Sequence, residues 1–494
     1  MSFIFQSIHT ILRQARILSV CLLLLIFALG GCKKYLDVPL PASSIASESV
    51  FSNDQTSAAA LNSVYVSLVS QGYLDYTNST TYTLGLYGDE LVYYSNIFNS
   101  KALYADAVGP AISAVTSFWT YFYGQLYSIN QAIQGIQANN ALTYKNQWLG
   151  EAYFLRGLLY FHLTNLYGDV PLVLTPDYLY NNGLARNPQA DVYKQIIADL
   201  KQAQSLLDSQ YHDDGGAVTT DRGRPNRMAA TALLAKTYLY TKDWANAEIQ
   251  AGSVIANNSV YQLPTPDMTF LLNSPEIIWG LEPIGNSTYP YEVKDVIIYP
   301  IPNGNVPGPG GIYTLSISDS LKNAFETGDL RYADWVGKDT VPANGPNPQV
   351  IYYYAYKYRM RGTYTTPQES IVMFRLAEQY LIRAEARAQQ NKLSGGDGAT
   401  ADLNVIRTRA GLAPTAAASQ TDVLNAVRQE RRVELFCEQG NRFFDLRRTG
   451  TLDALMTKLV PLKGGTTWAP TMAWWPIPAT DIQNDPNLIQ TPGY

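Results

Sequence analysis

The stretch that most restricts the fold is RPNRMAATALLAKTYLYTKDWANAEIQAGSVIAN, residues 224–257. Small Ala229, Ala230, Ala232 and Ala235 alternate with Leu233, Leu234, Tyr238 and Leu239, and a short turn, Thr241 to Asp243, leads into a second helix from Trp244 to Ile255. Small residues where two helices touch, a tight turn and an aromatic opening the second helix describe a tetratricopeptide-type pair. The period is imperfect, so the pattern predicts helix pairs rather than a regular solenoid.

Other segments carry the same periodicity. Ser117 to Ala138 places Trp119, Phe122, Leu126, Ile129, Ile133 and Ile136 at three- and four-residue steps, and Trp148 to Leu166 does likewise before stopping at Gly168 and Pro171. These two predict an antiparallel hairpin. Further helices are expected over Pro188 to Leu207, Ser370 to Gln390, residues 399–412 and residues 421–440. Between them, Leu263 to Pro367 is rich in Pro, Gly, Asn and Tyr, with β-like runs VIIYP (296–300) and VIYYYAYKYRM (350–360). A long aperiodic region of this kind is usually a functional loop. The expectation is a mainly all-α fold.

The amino terminus predicts export. Arg13 and Arg16 precede the apolar run Ile17 to Leu29, too short to span a bilayer comfortably but suited to a signal peptide. LGGC follows, with Gly30 and Gly31 before Cys32, a lipobox at which the Cys32 thiol is acylated and the chain cleaved. Cleavage removes Arg13 and Arg16 and no acid, taking the net charge from −5 to −7. Acyl chains on Cys32 would anchor the protein without a transmembrane helix. The expected organisation is signal peptide 1–31, lipidated tether 32–45, N-terminal helical scaffold 46–262, loop-rich ligand-binding region 263–367 and C-terminal helical region 368–494. Of three cysteines, only Cys437 is then left, in an apolar context that reads as core.

Function classes can be weighed on the same residues. An acidic chain without a basic segment is a poor partner for nucleic acid. Of three histidines, His9 lies in the signal, leaving His162 and His212, and no HExxH, GxSxG or P-loop pattern occurs, so no metal, cofactor or catalytic residue is expected. Asp89 and Glu90 are one candidate acid pair, but neighbours in sequence diverge, and a solvated or hydrogen-bonding role is expected. Binding is better supplied. The chain has 36 Tyr and 8 Trp against 16% charged residues. Sugar rings stack their C–H faces on such side chains, while hydroxyls pair with Asn, Asp, Gln and Arg. Stretches of this mixed type run from Leu86 to Tyr104, from Glu282 to Pro300, and from GGIYTLSISDS onward to Trp335. Candidate ligand contacts are Tyr93, Tyr94, Asn96, Tyr289, Tyr291, Tyr313 and Trp335.

One further segment, RRVELFCEQGNRFFDLRRTG (431–450), interleaves charges with Val433, Leu435, Phe436, Phe443, Phe444 and Leu446. From Arg428 to Arg448 six arginines meet four acids, a net of only +2. Acids and bases at three- and four-residue spacing can pair along a helix while the apolar residues dock it, so the segment reads as architecture, with Arg447 held between carboxylates.

Taken in order, GGC followed by KKYLDVPLP, then FWTYFYGQLYSINQAI, GEAYFLRGLLYFHLTNLYGDVPLV, GRPNRMAATALLAKTYLYTKDW, FRLAEQYLIRAEA, LNVIRTRAGL, RQERRVELFCEQGNRFFDLRRTG and WWPIPATDIQNDPNLIQTPGY resemble the SusD/RagB family of outer-membrane nutrient-binding lipoproteins. The resemblance implies tetratricopeptide-like helix pairs forming a superhelical scaffold, with an irregular portion carrying the ligand site. It implies a glycan ligand, no enzymatic activity, a place on the outer membrane facing outward, and a SusC-like TonB-dependent transporter as partner. It transfers no ligand contact residue by residue. Two other readings stand beside glycan capture: a peptide- or protein-binding surface lipoprotein of the same transport architecture, and a lipid-anchored glycosidase.

Overall fold

Helix follows helix wherever the small-residue pattern allows close approach. The computed structural model describes residues 47–70, 74, 79–283, 315–343, 345–346, 348–359 and 368–494. The chain divides into two compact units, Met1–Val50 and Phe51–Tyr494. In the first, Ser47–Val50 forms one helical turn; Cys32 and the tether lie outside the described residues.

The longer helices of the second unit are α1 (Asp54–Ser70), α2 (Thr80–Tyr87), α3 (Ser113–Ala138), α4 (Lys145–Tyr167), α5 (Gln189–Leu206), α6 (Arg227–Tyr240), α7 (Trp244–Ile255), α8 (Leu376–Gln389), α9 (Ala399–Arg409), α10 (Gln420–Glu434), α11 (Asn441–Arg448) and α12 (Leu452–Leu462). From α3 to α7 each packs on the next, and α7 then packs on α8 although residues 256–375 intervene in sequence. Helix α8 goes on to meet α9 and α10 around Ala377, Leu381, Ala384, Leu403, Ile406, Val423 and Val427, all fully buried. The result is the mainly helical, tetratricopeptide-like architecture.

Local chemistry sets the ends. Asn226 caps α6 by accepting from the Ala229 amide, and Asp243 caps α7 by accepting from the Asn246 amide. Helix α4 stops at Gly168, whose φ of +75° an L side chain would resist.

Six strands of note interrupt the helices: β1 (Leu91–Tyr93), β2 (Ile277–Leu281), β3 (Leu315–Ile317), β4 (Val336–Val341), β5 (Val350–Ala355) and β6 (Ile371–Arg375). Among the described residues every sheet has two strands, pairing β1 with β3, β2 with β6 and β4 with β5. Strand β6 corrects an expectation. Helix was predicted from Ser370, but Ile371 to Arg375 are extended, paired antiparallel with β2, and buried throughout. A short apolar run such as IVMF fits a buried strand as well as a helix start.

Candidate functional site

Strand β1 positions the first two sequence candidates. It pairs antiparallel with β3, Leu91 opposite Ile317 and Tyr93 opposite Leu315, and β5 lies against β3. Consecutive residues on a strand point to opposite faces. Tyr93 is therefore turned inward and only 8% exposed, which removes it as a ligand contact. Tyr94, just past the strand, is half-buried; its hydroxyl shares a hydrogen bond of 2.9 Å with Ser316 Oγ, and its ring meets Tyr352 of β5 edge-on at 5.7 Å and 88°. Burial pushes the Tyr94 phenol above its ordinary range.

Beyond Tyr94 the surface stays open. Asn96 is exposed, accepting from Lys101 Nζ at 3.4 Å, and Phe98 is 75% exposed. On β5, half-buried Tyr352 and Tyr354 share one face and half-buried Tyr353 takes the other, with the Lys322 ammonium 5.0 Å from the Tyr353 ring centre and Tyr354 edge-on to Tyr356 at 5.8 Å. Tyr352 was not among the sequence candidates, although YYYAY signals an aromatic edge. What it lacks in sequence is any sign of its partner. Tyr289, Tyr291 and Tyr313 lie outside the described residues.

Trp335 is a correction. It is completely buried, and its indole N–H donates to the Pro266 carbonyl at 2.8 Å. The ring is flanked by the Lys357 ammonium at 4.7 Å and the Arg409 guanidinium at 5.5 Å. A fully buried ring whose polar handle is occupied offers nothing to a ligand.

Trp335 roofs a buried ion network. Glu434 accepts from Arg331, Arg375 and Arg409; Glu438 accepts from Arg375 and Lys357; Glu276 accepts from Arg375 at 2.8 Å and from Arg409 at 3.0 Å. The segment 431–450 supplies two of its acids, Glu434 and Glu438, and a second set of pairs. The expected pairing along the helix is corrected here: Arg431 reaches Asp445 at 2.7 Å, Arg442 reaches Asp89 at 2.8 Å and Arg448 reaches Glu385, all across elements. Arg448 to Asp445, 2.7 Å, is a pair within one helix.

Arg447 also departs from expectation. Among the described residues it meets no carboxylate; it stacks 3.8 Å from the Trp474 ring centre and donates to the Ala473 carbonyl and Asn165 Oδ1, each at 3.0 Å. Burial pulls its guanidinium down to about 10.

The acid pair Asp89 and Glu90 is committed elsewhere. Asp89 takes a bidentate fork from Arg442, 2.8 Å on both arms, and a third bond from Arg432. Burial opposes its charge, but those guanidiniums outweigh it and hold the carboxyl below its ordinary value. Glu90 accepts from the Cys437 amide at 3.0 Å, and burial pushes it up to about 7.

Comparison with known proteins gives a consistent answer. Residues 169–494 match the model of the family described as SusD family, and residues 34–239 match one described as starch-binding associating with outer membrane. SusD-like protein P2 of Formosa agariphila is 26% identical over 471 residues, covering 87% of this chain and 90% of that protein. Starch-binding protein SusD of Bacteroides thetaiotaomicron is 39% identical over 134 residues, 26% of this chain and 22% of its own length. Among solved structures, a laminarin binding SusD-like protein aligns with TM-score 0.73 at 24% identity over 90% of this chain and all of its own. Surface glycan-binding protein A from Bacteroides fluxus aligns with TM-score 0.73 at 23% identity, covering 89% and 99%. At these identities the structural likenesses establish the fold.

Proposed function

The chain belongs to the SusD/RagB family, whose members are binding proteins rather than enzymes, and from that premise we propose that it captures oligosaccharide or polysaccharide at the cell surface and delivers it to a SusC-like TonB-dependent outer-membrane transporter. The family description associating with outer membrane supports the location. Acylation at Cys32, with 32–45 as tether, supplies the anchor in this reading, and the protein faces the cell exterior, where polymer is met.

The observation that carries the reading is the aromatic surface around Tyr94. Edge-on Tyr94 and Tyr352, with half-buried Tyr354 on the same face of β5, offer flat apolar faces with hydroxyls at their rims, and exposed Asn96 and Phe98 follow Tyr94 in the chain. Pyranose rings need that combination, C–H faces for stacking and hydroxyls for hydrogen bonds. The region 263–367 contributes further contacts, among them Tyr289, Tyr291 and Tyr313, chosen for their Tyr- and Asn-rich surroundings. The relatives named for starch, laminarin and surface glycan point to the same ligand class.

Affinity electrophoresis of the soluble form beginning at Lys33, through gels containing plant, fungal and host polysaccharides, tests this. We expect retardation by at least one polysaccharide. Tyr94→Ala and Tyr352→Ala should each weaken it about tenfold, the equivalent of about 1.4 kcal/mol, with unchanged melting temperature. Retardation that survives both substitutions would move the site away from β1 and β5. No retardation by any polysaccharide would reject polymer capture.

A further inference from the structure

Helices α10 and α11 meet at a small cleft of about 30 Å³ whose lining includes Arg428, Arg431, Arg432, Arg442 and Arg448. Asp445 is the acid that lines it with them. The guanidiniums share their partners unevenly. Arg432 and Arg442 both bond Asp89, and Arg431 and Arg448 both bond Asp445. Arg448 also meets Glu385, and Arg431 lies 3.7 Å from Glu378, which Lys236 holds at 3.0 Å. With Glu90, whose charge acts on Arg432 and Arg442, six cations in and behind the cleft thus meet five carboxylates. Arg428, half-buried, has a neutral partner, Asn425 Oδ1 at 2.8 Å.

Arg431 keeps one guanidinium edge without a hydrogen bond beside this cleft. It is only 2% exposed. Its Nε and Nη2 form the fork on Asp445 at 2.7 and 3.2 Å, while Nη1, the remaining edge with two N–H donors, has no hydrogen-bond partner. A buried donor without an acceptor is costly, and a guanidinium edge fits the spacing of oxygens on an oxoanion.

We propose that this cleft binds an oxoanion, with Arg431 Nη1 and the guanidinium of Arg428 as its donors. The chemistry is shared by sulfate, phosphate and carboxylate groups, whether free ions or substituents of a polysaccharide. The second source has a geometric attraction: Asp89, which anchors Arg432 and Arg442, sits in the turn before β1, five residues from Tyr94 and so at most about 17 Å away at strand spacing.

The test uses the soluble form from Lys33 with sodium sulfate as probe, against sodium chloride at equal ionic strength. Calorimetric titration should give saturable binding, and sulfate should raise the melting temperature of wild type beyond the general rise that excluded sulfate gives the Arg428→Gln variant. Arg428→Gln, which breaks no ion pair, should weaken sulfate about tenfold with normal melting temperature in chloride. Arg431→Lys, which keeps the charge but removes the Nη1 edge and loosens the fork on Asp445, should also weaken sulfate, at a melting temperature lowered in chloride. Affinity electrophoresis in dextran sulfate against dextran then separates the sources: Arg428-dependent retardation by dextran sulfate assigns a polymer substituent, and sulfate binding without retardation assigns the free ion. An equal rise in melting temperature with sulfate in wild type and Arg428→Gln, or sulfate binding unaltered in both variants, would overturn the proposal. Because sulfate is read without glycan, this outcome is independent of the aromatic surface.

Discussion

Arg447 illustrates how a guanidinium is accommodated where no carboxylate meets it. Its charge rests on the face of Trp474, and two of its nitrogens donate to Ala473 and Asn165. Carbonyl and ring partners satisfy the donors without fully offsetting burial, and the guanidinium is accordingly pulled down to about 10. Arg447→Ala removes a stacked cation and leaves Asn165 and the Ala473 carbonyl short of a donor. The expected loss is about 2–4 kcal/mol of stability, measured by urea denaturation, with polysaccharide affinity of the folded fraction unchanged. Normal stability with binding alone lost would instead place Arg447 at a ligand site. Arg447→Lys should recover only part of the loss, because an ammonium stacks and forks less well.

At the scale of elements, helix spacing is set by glycines as much as by alanines. A Cβ on Gly150 of α4 would lie 2.8 Å from Leu207 Cγ and 3.2 Å from Leu206 Cβ, where the end of α5 passes, whereas one on Gly124 of α3 meets nothing within 4 Å. Alanine gains about 1 kcal/mol of helix propensity at either position. At Gly150 overpacking of about 1–3 kcal/mol opposes that gain. We therefore expect Gly124→Ala to raise the melting temperature and Gly150→Ala to lower it; the same sign at both would mean that the α4–α5 contact gives way freely. Such helices were largely legible in the sequence. The turn at 241–243 and the following helix from Trp244 to Ile255 match α7, because period, small residues and the Asp243 cap all speak locally. Strand β6 was not legible, since IVMF has no period to read and its partner β2 lies nearly a hundred residues earlier. Nor could the strand show which of Tyr93 and Tyr94 faces out; alternation says only that one of them does.

For the whole molecule, what the sequence concealed are relations between distant residues: Tyr94 with Tyr352, Arg442 with Asp89, and Trp335 with the ions it covers. That segment 431–450 is architecture could be read from its balance of charge, but its partners could not. These relations give the fold a stability with two opposed pH limbs. Burial disfavours the Asp445 charge, yet Arg431 and Arg448 outweigh it and hold the carboxyl at about 2, from an ordinary 3.8. A depressed folded pKa contributes stability above 3.8 that is lost as pH falls toward 2, about 2 kcal/mol for this group. Glu90 acts in the other direction. Burial raises its carboxyl from 4.5 to about 7, so its contribution is complete below 4.5 and disappears as pH rises through 7, about 3 kcal/mol over the interval. Glu90→Gln keeps an oxygen for the Cys437 amide and has no charge to bury. Urea denaturation across pH 4 to 8 should therefore show wild type losing stability between about 4.5 and 7 more steeply than Glu90→Gln, with the variant the more stable at pH 8 and the two converging near pH 4. Equal slopes would mean that Glu90 is ionised at little cost, its charge met by Arg442 and Lys357 more fully than one amide hydrogen bond at 3.0 Å allows.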